Sequence, residues 1–413
     1  MLRPTAKPIS ISEQAVAKLE QLSGQNGHYG DAISAPGRVN LIGEHIDYHD
    51  LPVLPIAIQK QISIAFTPRN DSQITAVSTQ FSRSTSFDLS SQIVPGPRGD
   101  WSNYLRAALA AIQTHKPLTA GVDASIASDL PLAAGLSSSS ALLVGFSLAL
   151  LRANKINVDL KDLTALLPEG EQFVGTRGGA MDHVAILASR KGYATLIECF
   201  HPLRVRYVRI PGHWRFLVAH SMVTAEKSGA LRAQYNERRF AGERALQSLG
   251  YKSYREALAS SDDSEVDHLT HPLERAAFMH VLSEARRVQL AVAALEKNDL
   301  LAFGRLLNES HASLRDQLRV SVPEVDSLTG TALSAGAYGA RITGAGFGGC
   351  VVALCTADNV ERVRQCLATT YYAGKPGFDP EQHLFVAEPS NGALTPEPLD
   401  NADQHCSADD GNS

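Results

Sequence analysis

Ala35-Pro36-Gly37-Arg38-Val39-Asn40-Leu41-Ile42-Gly43-Glu44-His45-Ile46-Asp47-Tyr48 sets a cation, two carboxylates and an imidazole behind a Pro-Gly turn. Burying ionisable groups unpaired is costly, so groups spaced this densely either pair with one another or face a polar ligand in a cleft. A structural ion cluster is the plainer of the two readings. The rest of the chain has to decide between them.

The wording GRVNLIGEHIDY resembles the GRVNLIGEHTDYN signature of galactokinases, a family within the GHMP group of small-molecule kinases. The resemblance implies that Glu44, His45 and Asp47 bind sugar hydroxyls and that Arg38 lies beside the transferred phosphate. The chain departs from the signature at Ile46, which replaces Thr, and at His49-Asp50-Leu51-Pro52, which replaces Asn and Gly-rich residues. These departures flank the sugar contacts and bear on which sugar is bound rather than on the reaction.

At 413 residues the chain exceeds one ordinary core and suits two domains of roughly 150 to 200 residues with a cleft between them. The expected division is 1–208 and 209–393, near the Pro211-Gly212 turn, followed by a disordered acidic tail at 394–413. That tail holds Glu397, Asp400, Asp403, Asp409 and Asp410 and no Lys or Arg. Five of the 43 acidic residues lie there, and the remaining 38 equal the Lys and Arg count. A neutral body offers no electrostatic footprint for nucleic acid or an anionic membrane.

A composition of 44% hydrophobic and 20% charged residues is that of a globular protein. No apolar stretch is long enough to span a bilayer. The N-terminus lacks a secretory h-region, and five cysteines without CxxC spacing suit a reducing compartment. A cytoplasmic protein acting on a small molecule is therefore expected, and it is taken as a monomer without any sequence feature that fixes the oligomeric state.

Helical spacing runs through residues 11 to 22, and short β-branched runs between Gln61 and Phe87 predict antiparallel strands. Residues 101 to 114 return to helical spacing. VDASIASDL reads as a strand, a turn follows at Pro131 and Gly135, and ALLVGFSLALL reads as a buried helix. Further helices are expected near 159–173, through 225–249 and through 268–307, with strands at 191–198 and in the Gly-rich segment ending in VVALC. Strands and helices alternate without a steady βαβ period, which predicts an α+β fold. The resemblance implies more narrowly the two-domain GHMP kinase fold with its active site in the interdomain cleft.

Pro131-Leu132-Ala133-Ala134-Gly135-Leu136-Ser137-Ser138-Ser139-Ser140-Ala141 opens the buried helix with a glycine turn and hydroxyls. Free backbone N–H groups and the helix dipole attract an anion there. By itself the string is equally a Ser-rich N-cap. It resembles the GHMP phosphate motif PxxxGLSSSA, and it is not a Walker A sequence. The resemblance implies that Gly135, Leu136, Ser137, Ser138 and Ser139 bind ATP and that Ser139 is a Mg²⁺ ligand.

Galactokinases place a Mg²⁺-binding Glu three residues before the Phe of an xFVG segment, where this chain has Gly170. Glu169 and Glu171 flank that position, each turned by roughly 100° from it on a helix. Glu171 is the candidate replacement, given a local backbone adjustment or a water bridge.

Phe173-Val174-Gly175-Thr176-Arg177-Gly178-Gly179-Ala180-Met181-Asp182-His183 resembles the family's FVGxxCGIMDQ segment. The resemblance implies that Asp182 is the catalytic base, with Arg38 neutralising charge on the transferring phosphoryl group. Without that context an Asp here reads as a loop N-cap. His183 replaces Gln and is assigned to packing, and Arg177 to the rim. Gly178 replaces a Cys that in the family lies near carbon 2 of the sugar. Either Gly178 makes room for an acyl group, as in the N-acetylgalactosamine kinase branch, or Gly178 and Gly179 serve a turn.

Ala340-Arg341-Ile342-Thr343-Gly344-Ala345-Gly346-Phe347-Gly348-Gly349-Cys350 resembles the family's third motif, GARMTGAGFGGC. The resemblance implies that Gly344, Ala345 and Gly346 complete the ATP site against the phosphate loop. By the same analogy Tyr235 contacts the sugar and Trp101 shapes the adenine pocket, although both also read as packing aromatics. The combined expectation is an ATP- and Mg²⁺-dependent kinase for the anomeric hydroxyl of galactose or a galactose-like hexose. An N-acetylgalactosamine kinase and a non-catalytic sugar and ATP sensor are the alternatives.

Overall fold

Short apolar and β-branched runs build the first sheet. A computed structural model describes residues 9–23, 30–89, 91–200, 202–224, 229–260 and 263–394. In it β1 (Asp31–Asn40), β2 (Pro55–Pro68), β3 (Gln73–Ser78), β4 (Thr85–Asp88) and β5 (Val122–Ser128) pair in the order β1-β2-β5-β3-β4. Within the stretch expected to form antiparallel strands, β3 and β4 pair antiparallel, while β2 and β3 are separated by β5, which runs antiparallel to β2 and parallel to β3. Strand β5 inserts between β2 and β3, a non-local choice that a sequence pattern of short runs does not contain.

Helices α1 (Ile11–Ser23), α2 (Ser102–Gln113), α3 (Ser138–Ala153), α4 (Leu160–Phe173) and α5 (Met181–Ala188) flank this sheet. Strand β2 is buried on both faces because Ile64 packs on Gly145 of α3 while Ala65 joins Ala15 and Leu19 of α1. A Cβ on Gly145 would stand 3.0 Å from Ile64 Cδ1 and 3.3 Å from Ala35 Cβ, so the glycine lets α3 approach closely.

A two-stranded ribbon, β6 (Tyr193–Glu198) and β7 (Arg204–Arg209), leads through the Pro211-Gly212 turn into the second sheet. That sheet comprises β8 (Trp214–His220), β9 (Gly339–Thr343), β10 (Cys350–Thr356) and β11 (Leu384–Ala387) in the antiparallel order β11-β8-β10-β9. Helices α6 (Gly229–Ser248), α7 (Tyr254–Ala259), α8 (Pro272–Glu296), α9 (Leu300–Asp316), α10 (Pro323–Ser334), α11 (Val360–Thr369) and α12 (Pro380–His383) complete this half. The single helix expected over 268–307 is two, because Asn298 turns left-handed at φ 54° and the Asp299 side chain caps the Ala302 amide of a new helix.

No described helix is long and apolar enough to cross a membrane. The acidic residues of the tail, from Glu397 onward, lie outside the described residues. What the fold contributes to function is a meeting of ends. Strand β1 of the first sheet stops at Asn40, whose amide donates to Thr343 Oγ1 at the end of β9 in the second sheet (3.1 Å).

Candidate active site

Beyond Asn40 the chain leaves the strand, and residues 41–50 remain buried almost throughout although they include Glu44, His45, Asp47 and His49. Their polar atoms are satisfied from both halves of the molecule. Glu44 Oε1 accepts from the Gly344 amide (2.7 Å) and Thr343 Oγ1 (3.3 Å) and lies 3.4 Å from Arg341 Nη2. His45, held left-handed at φ 61°, bonds through Nε2 to the Ala345 carbonyl (3.1 Å) and through Nδ1 to the Tyr48 hydroxyl (2.8 Å). A carbonyl only accepts, so the proton sits on Nε2 and Tyr48 donates to Nδ1.

Arg38 follows a register shift within β1 and is 3% exposed. Its Nε donates to Asp182 Oδ1 (2.7 Å) and its Nη1 to the Gly135 carbonyl (2.7 Å). Burial lowers the guanidinium pKa, but Asp182 and Glu44 more than offset this and leave it raised. Asp182 stands in the first turn of α5, where the helix dipole favours a carboxylate. Its Oδ2 accepts from Ser137 Oγ (2.6 Å) and more distantly from Ser140 Oγ (3.4 Å). Ser137 reaches it because the residue before α3 is left-handed, at φ 59°.

These groups line one cleft, walled by Arg38, Glu44, His45, Asp47, Glu171 and Asp182 together with Gly178, Gly179, Met181, Tyr235, Gly344 and Ala345. Burial, then the charges of Asp182 and Glu44, push the Asp47 carboxyl up to about 7. Burial foremost also raises the Tyr235 phenol well above its usual value, so Tyr235 is a donor. Its ring lies 5.3 Å from that of His45. A side chain on Gly179 would run into the Asp47 carboxylate, which explains the glycine by close approach.

The third motif and the phosphate loop touch directly. A Cβ on Gly344 would stand 2.6 Å from the Gly135 carbonyl, and one on Gly135 would stand 2.9 Å from the Thr343 carbonyl. Gly346 is close to Val320 and does not line the cleft. Leu136 is buried, and Ser138 and Ser139 are half-buried on the first turn of α3 outside the cleft wall. Trp101 also lies away from the wall and stacks on Phe81 at 6.0 Å and 5°.

Glu171 faces the cleft despite its offset from the expected position. Ser140 Oγ donates to its Oε1 at 2.7 Å, and His183 Nε2 lies 3.5 Å from the same oxygen. Pro168 inside α4 removes the amide that would bond to the Thr164 carbonyl, freeing the last turn to reorient. Gly170 instead packs inward, where a Cβ would stand 2.9 Å from Leu143 Cδ1 and 3.2 Å from the Ala107 carbonyl. The opening left at Gly178 is not empty, since Glu171 Oε2 lies 3.0 Å from the Cβ position. His183 is buried as expected, and Arg177 is exposed beside the Phe240 ring at 5.7 Å.

Serine and carboxylate oxygens form a hard donor set that suits Mg²⁺. Among the described residues no three His, Cys, Asp or Glu side chains converge as a metal site.

Sequence reasoning missed the residues that hold the signature loop from behind. Glu284 on α8 accepts from the amides of Gly43 (2.9 Å) and Glu44 (3.3 Å), and His280 Nε2 donates to the Glu44 carbonyl (2.9 Å). Arg341, fully buried, donates to the carbonyls of Asn40 (3.0 Å) and Leu41 (2.9 Å). The available signal was two ionisable residues four apart on the buried face of α8, beside Val281 and Val288.

Three family models match the chain: the galactokinase galactose-binding signature over residues 24–68, the GHMP kinases N terminal domain over 103–190 and the GHMP kinases C terminal model over 291–373. A galactokinase of Roseiflexus sp. (strain RS-1) is 41% identical over 357 residues, covering 84% of this chain and 89% of the relative. A galactokinase of Chloroflexus aurantiacus is 40% identical over 336 residues, covering 79% and 84%. The crystal structure of Lactococcus lactis galactokinase complexed with galactose superposes with a TM-score of 0.81 at 28% identity, covering 91% of this chain and 97% of that one.

Proposed function

Since the chain belongs to the galactokinase family of the GHMP kinases, we propose that it transfers the terminal phosphoryl group of ATP to the anomeric hydroxyl of galactose, with Asp182 as the base. It is a sugar kinase, and ATP is its phosphoryl donor. One observation carries the assignment of the base. The Asp182 carboxylate, oriented by Arg38 and Ser137, opens onto the cleft that Glu44, His45 and Asp47 also line.

In this reading Glu44, His45, Asp47, Gly178, Gly179 and Tyr235 form the sugar side, where a few convergent polar groups fix orientation. Asp182 takes the hydroxyl proton as the anomeric oxygen attacks the γ-phosphorus and the bond to ADP breaks. Arg38, one charge-assisted bond away, offsets the negative charge that gathers on the phosphoryl oxygens. We assign Gly135 to Ser139 and Gly344 to Gly346 to the nucleotide side of the site, with Trp101 toward the adenine. Mg²⁺, assigned to Ser139 and Glu171, would neutralise phosphate charge. The acting form we assign is a cytoplasmic monomer of two domains divided at 208/209.

The test is ATP consumption with galactose, with the product identified by phosphorus NMR. Galactose 1-phosphate is expected. Binding of ATP and galactose without turnover would instead select a sensor.

A further inference from the structure

Beyond β11 the chain crosses from the second sheet onto the first half of the molecule, where residues 388–394 are held mainly by backbone bonds. The Glu388 amide donates to Gln59 Oε1 (2.9 Å) and the Ser390 amide to the Ala57 carbonyl (2.9 Å), both on β2. The Asn391 side chain accepts from the Lys191 amide (2.9 Å). The amides of Gly392, Ala393 and Leu394 then donate to the carbonyls of Ser189 (2.7 Å), Ile186 (2.8 Å) and Leu187 (3.0 Å). A Cβ on Gly392 would stand 2.5 Å from the Leu187 carbonyl and 2.7 Å from the Ala188 nitrogen, so close approach of two backbones explains this glycine.

Helix α5 has eight residues, too few to be stable in isolation, and the last four carbonyls of a helix need partners from outside it. The Ser189 amide bonds to the Ala185 carbonyl (3.2 Å) and the Tyr207 hydroxyl to that of Ala188 (2.7 Å), whereas Ile186 and Leu187 take their bonds from Ala393 and Leu394. Asp182 stands in the first turn of the same helix. Ala57, which receives the Ser390 amide, pairs with Arg38 across β1 and β2. One segment thus braces both backbones that the bond from Arg38 Nε to Asp182 Oδ1 (2.7 Å) spans. We propose that residues 388–394 form a strap, seated by Gly392, that positions Asp182 against Arg38 by holding the C-terminal end of α5 to β2. The inference rests on the functional reading above, which makes that pair catalytic.

The strap acts on the base and not on the sugar contacts. Glu44 and His45 take their partners from Thr343, Gly344, Ala345 and Tyr48, and the loop that carries them is backed by Glu284 and His280 of α8. A misplacement of about 1 Å at the reacting groups costs about 10²-fold in rate. A small shift of α5 therefore shows in turnover before it shows in binding.

Two variants of the full-length protein test this: Gly392→Ala, which pushes the strap off Leu187, and Ala393→Pro, which removes the amide bonded to Ile186. In both, kcat with galactose should fall about tenfold while KM for galactose and for ATP stays within about twofold, the split expected when only alignment is lost. Amide exchange in the peptide covering α5 should speed up in both. Ala393→Ser keeps the amide and should match the wild type in all three readouts. Leu19→Ala, in the packing of α1 on β2, supplies a destabilised reference whose kcat should hold wherever it remains folded. An equal loss of kcat in Leu19→Ala at the same drop in melting temperature would overturn the inference, since stability alone would then account for the strap. Unchanged kcat in both strap variants, or unchanged exchange at α5, would also overturn it, with galactose still phosphorylated by the wild type. Failure of the wild type to phosphorylate galactose would overturn the functional reading and the catalytic part of the inference with it.

Discussion

Glu284 and Asp182 are both buried carboxylates within reach of an arginine, yet the fold uses them differently. Glu284 is fully buried and gathers the Gly43 and Glu44 amides, Ser310 Oγ (2.8 Å) and Arg287 Nε (2.8 Å). Burial alone would raise its pKa, but Arg287, His280 and Arg341 hold it down at about 2. Asp182 takes its donors from Arg38 and Ser137 and keeps 8% of its surface at the cleft wall. The first carboxylate is enclosed by donors on a packed helix and serves architecture. The second is oriented by fewer donors and remains reachable, which is what proton transfer requires.

The largest effect should come from the reachable member. Asp182→Asn keeps the size and one acceptor oxygen but cannot take a proton. Turnover should fall about 10²- to 10⁴-fold, the usual contribution of a general base, while calorimetry still detects galactose. An active variant would remove Asp182 from the role of base and collapse the contrast.

Glu284→Ala should act on stability instead. Removing it leaves two loop amides, a serine hydroxyl and a partly buried arginine without their acceptor, and breaking a buried pair costs about 3–5 kcal/mol. Urea denaturation reads the loss directly. An unchanged midpoint would mean that the signature loop stands without its backing helix.

Asp47 gives a pH test of the same division, since it lies between the two regions. Its carboxyl is raised to about 7 by burial and by Asp182 and Glu44, so between the unfolded value near 3.8 and about 7 the native state binds a proton that the unfolded chain has lost. Stability from this group is present at low pH and is lost as pH rises through that window, at about 1.4 kcal/mol per unit. His280, depressed to about 4 chiefly by burial, acts with the opposite sign as pH falls below 6.5. The comparison is therefore wild type against Asp47→Asn at pH 5 and pH 8. The variant should gain relative to wild type at the higher pH, and a constant difference would contradict the raised carboxyl.

Much of the site was legible because it is written in contiguous strings. Arg38 to Asp47, Gly135 to Ser137, Gly178 to Asp182 and Gly344 to Ala345 all reach one cleft or the loop contacts beside it. Four-residue spacing and glycine turns are local properties, and local properties survive folding. The pairing of β3 with β5, the support from His280 and Glu284, and the place of Trp101 against Phe81 depend on partners tens to hundreds of residues away. Glu171 shows the limit most clearly. An ideal helix turns it away from the cleft, whereas Pro168 and the inward packing of Gly170 bring it in.

Gly170→Ala tests that last point and should have the smallest effect. Alanine favours a helix interior by about 1 kcal/mol over glycine. Its Cβ would stand 2.9 Å from Leu143 Cδ1, which can rotate, but also 3.2 Å from the Ala107 carbonyl, which belongs to the α2 backbone and cannot easily yield. Overpacking of this kind costs about 1–3 kcal/mol, so the net change should be a loss of about 1 kcal/mol, readable in thermal or urea denaturation. Displacing α4 should also move Glu171 off Ser140. A variant more stable than wild type would show that Gly170 carries no packing duty and that Glu171 finds the cleft by its own side-chain reach.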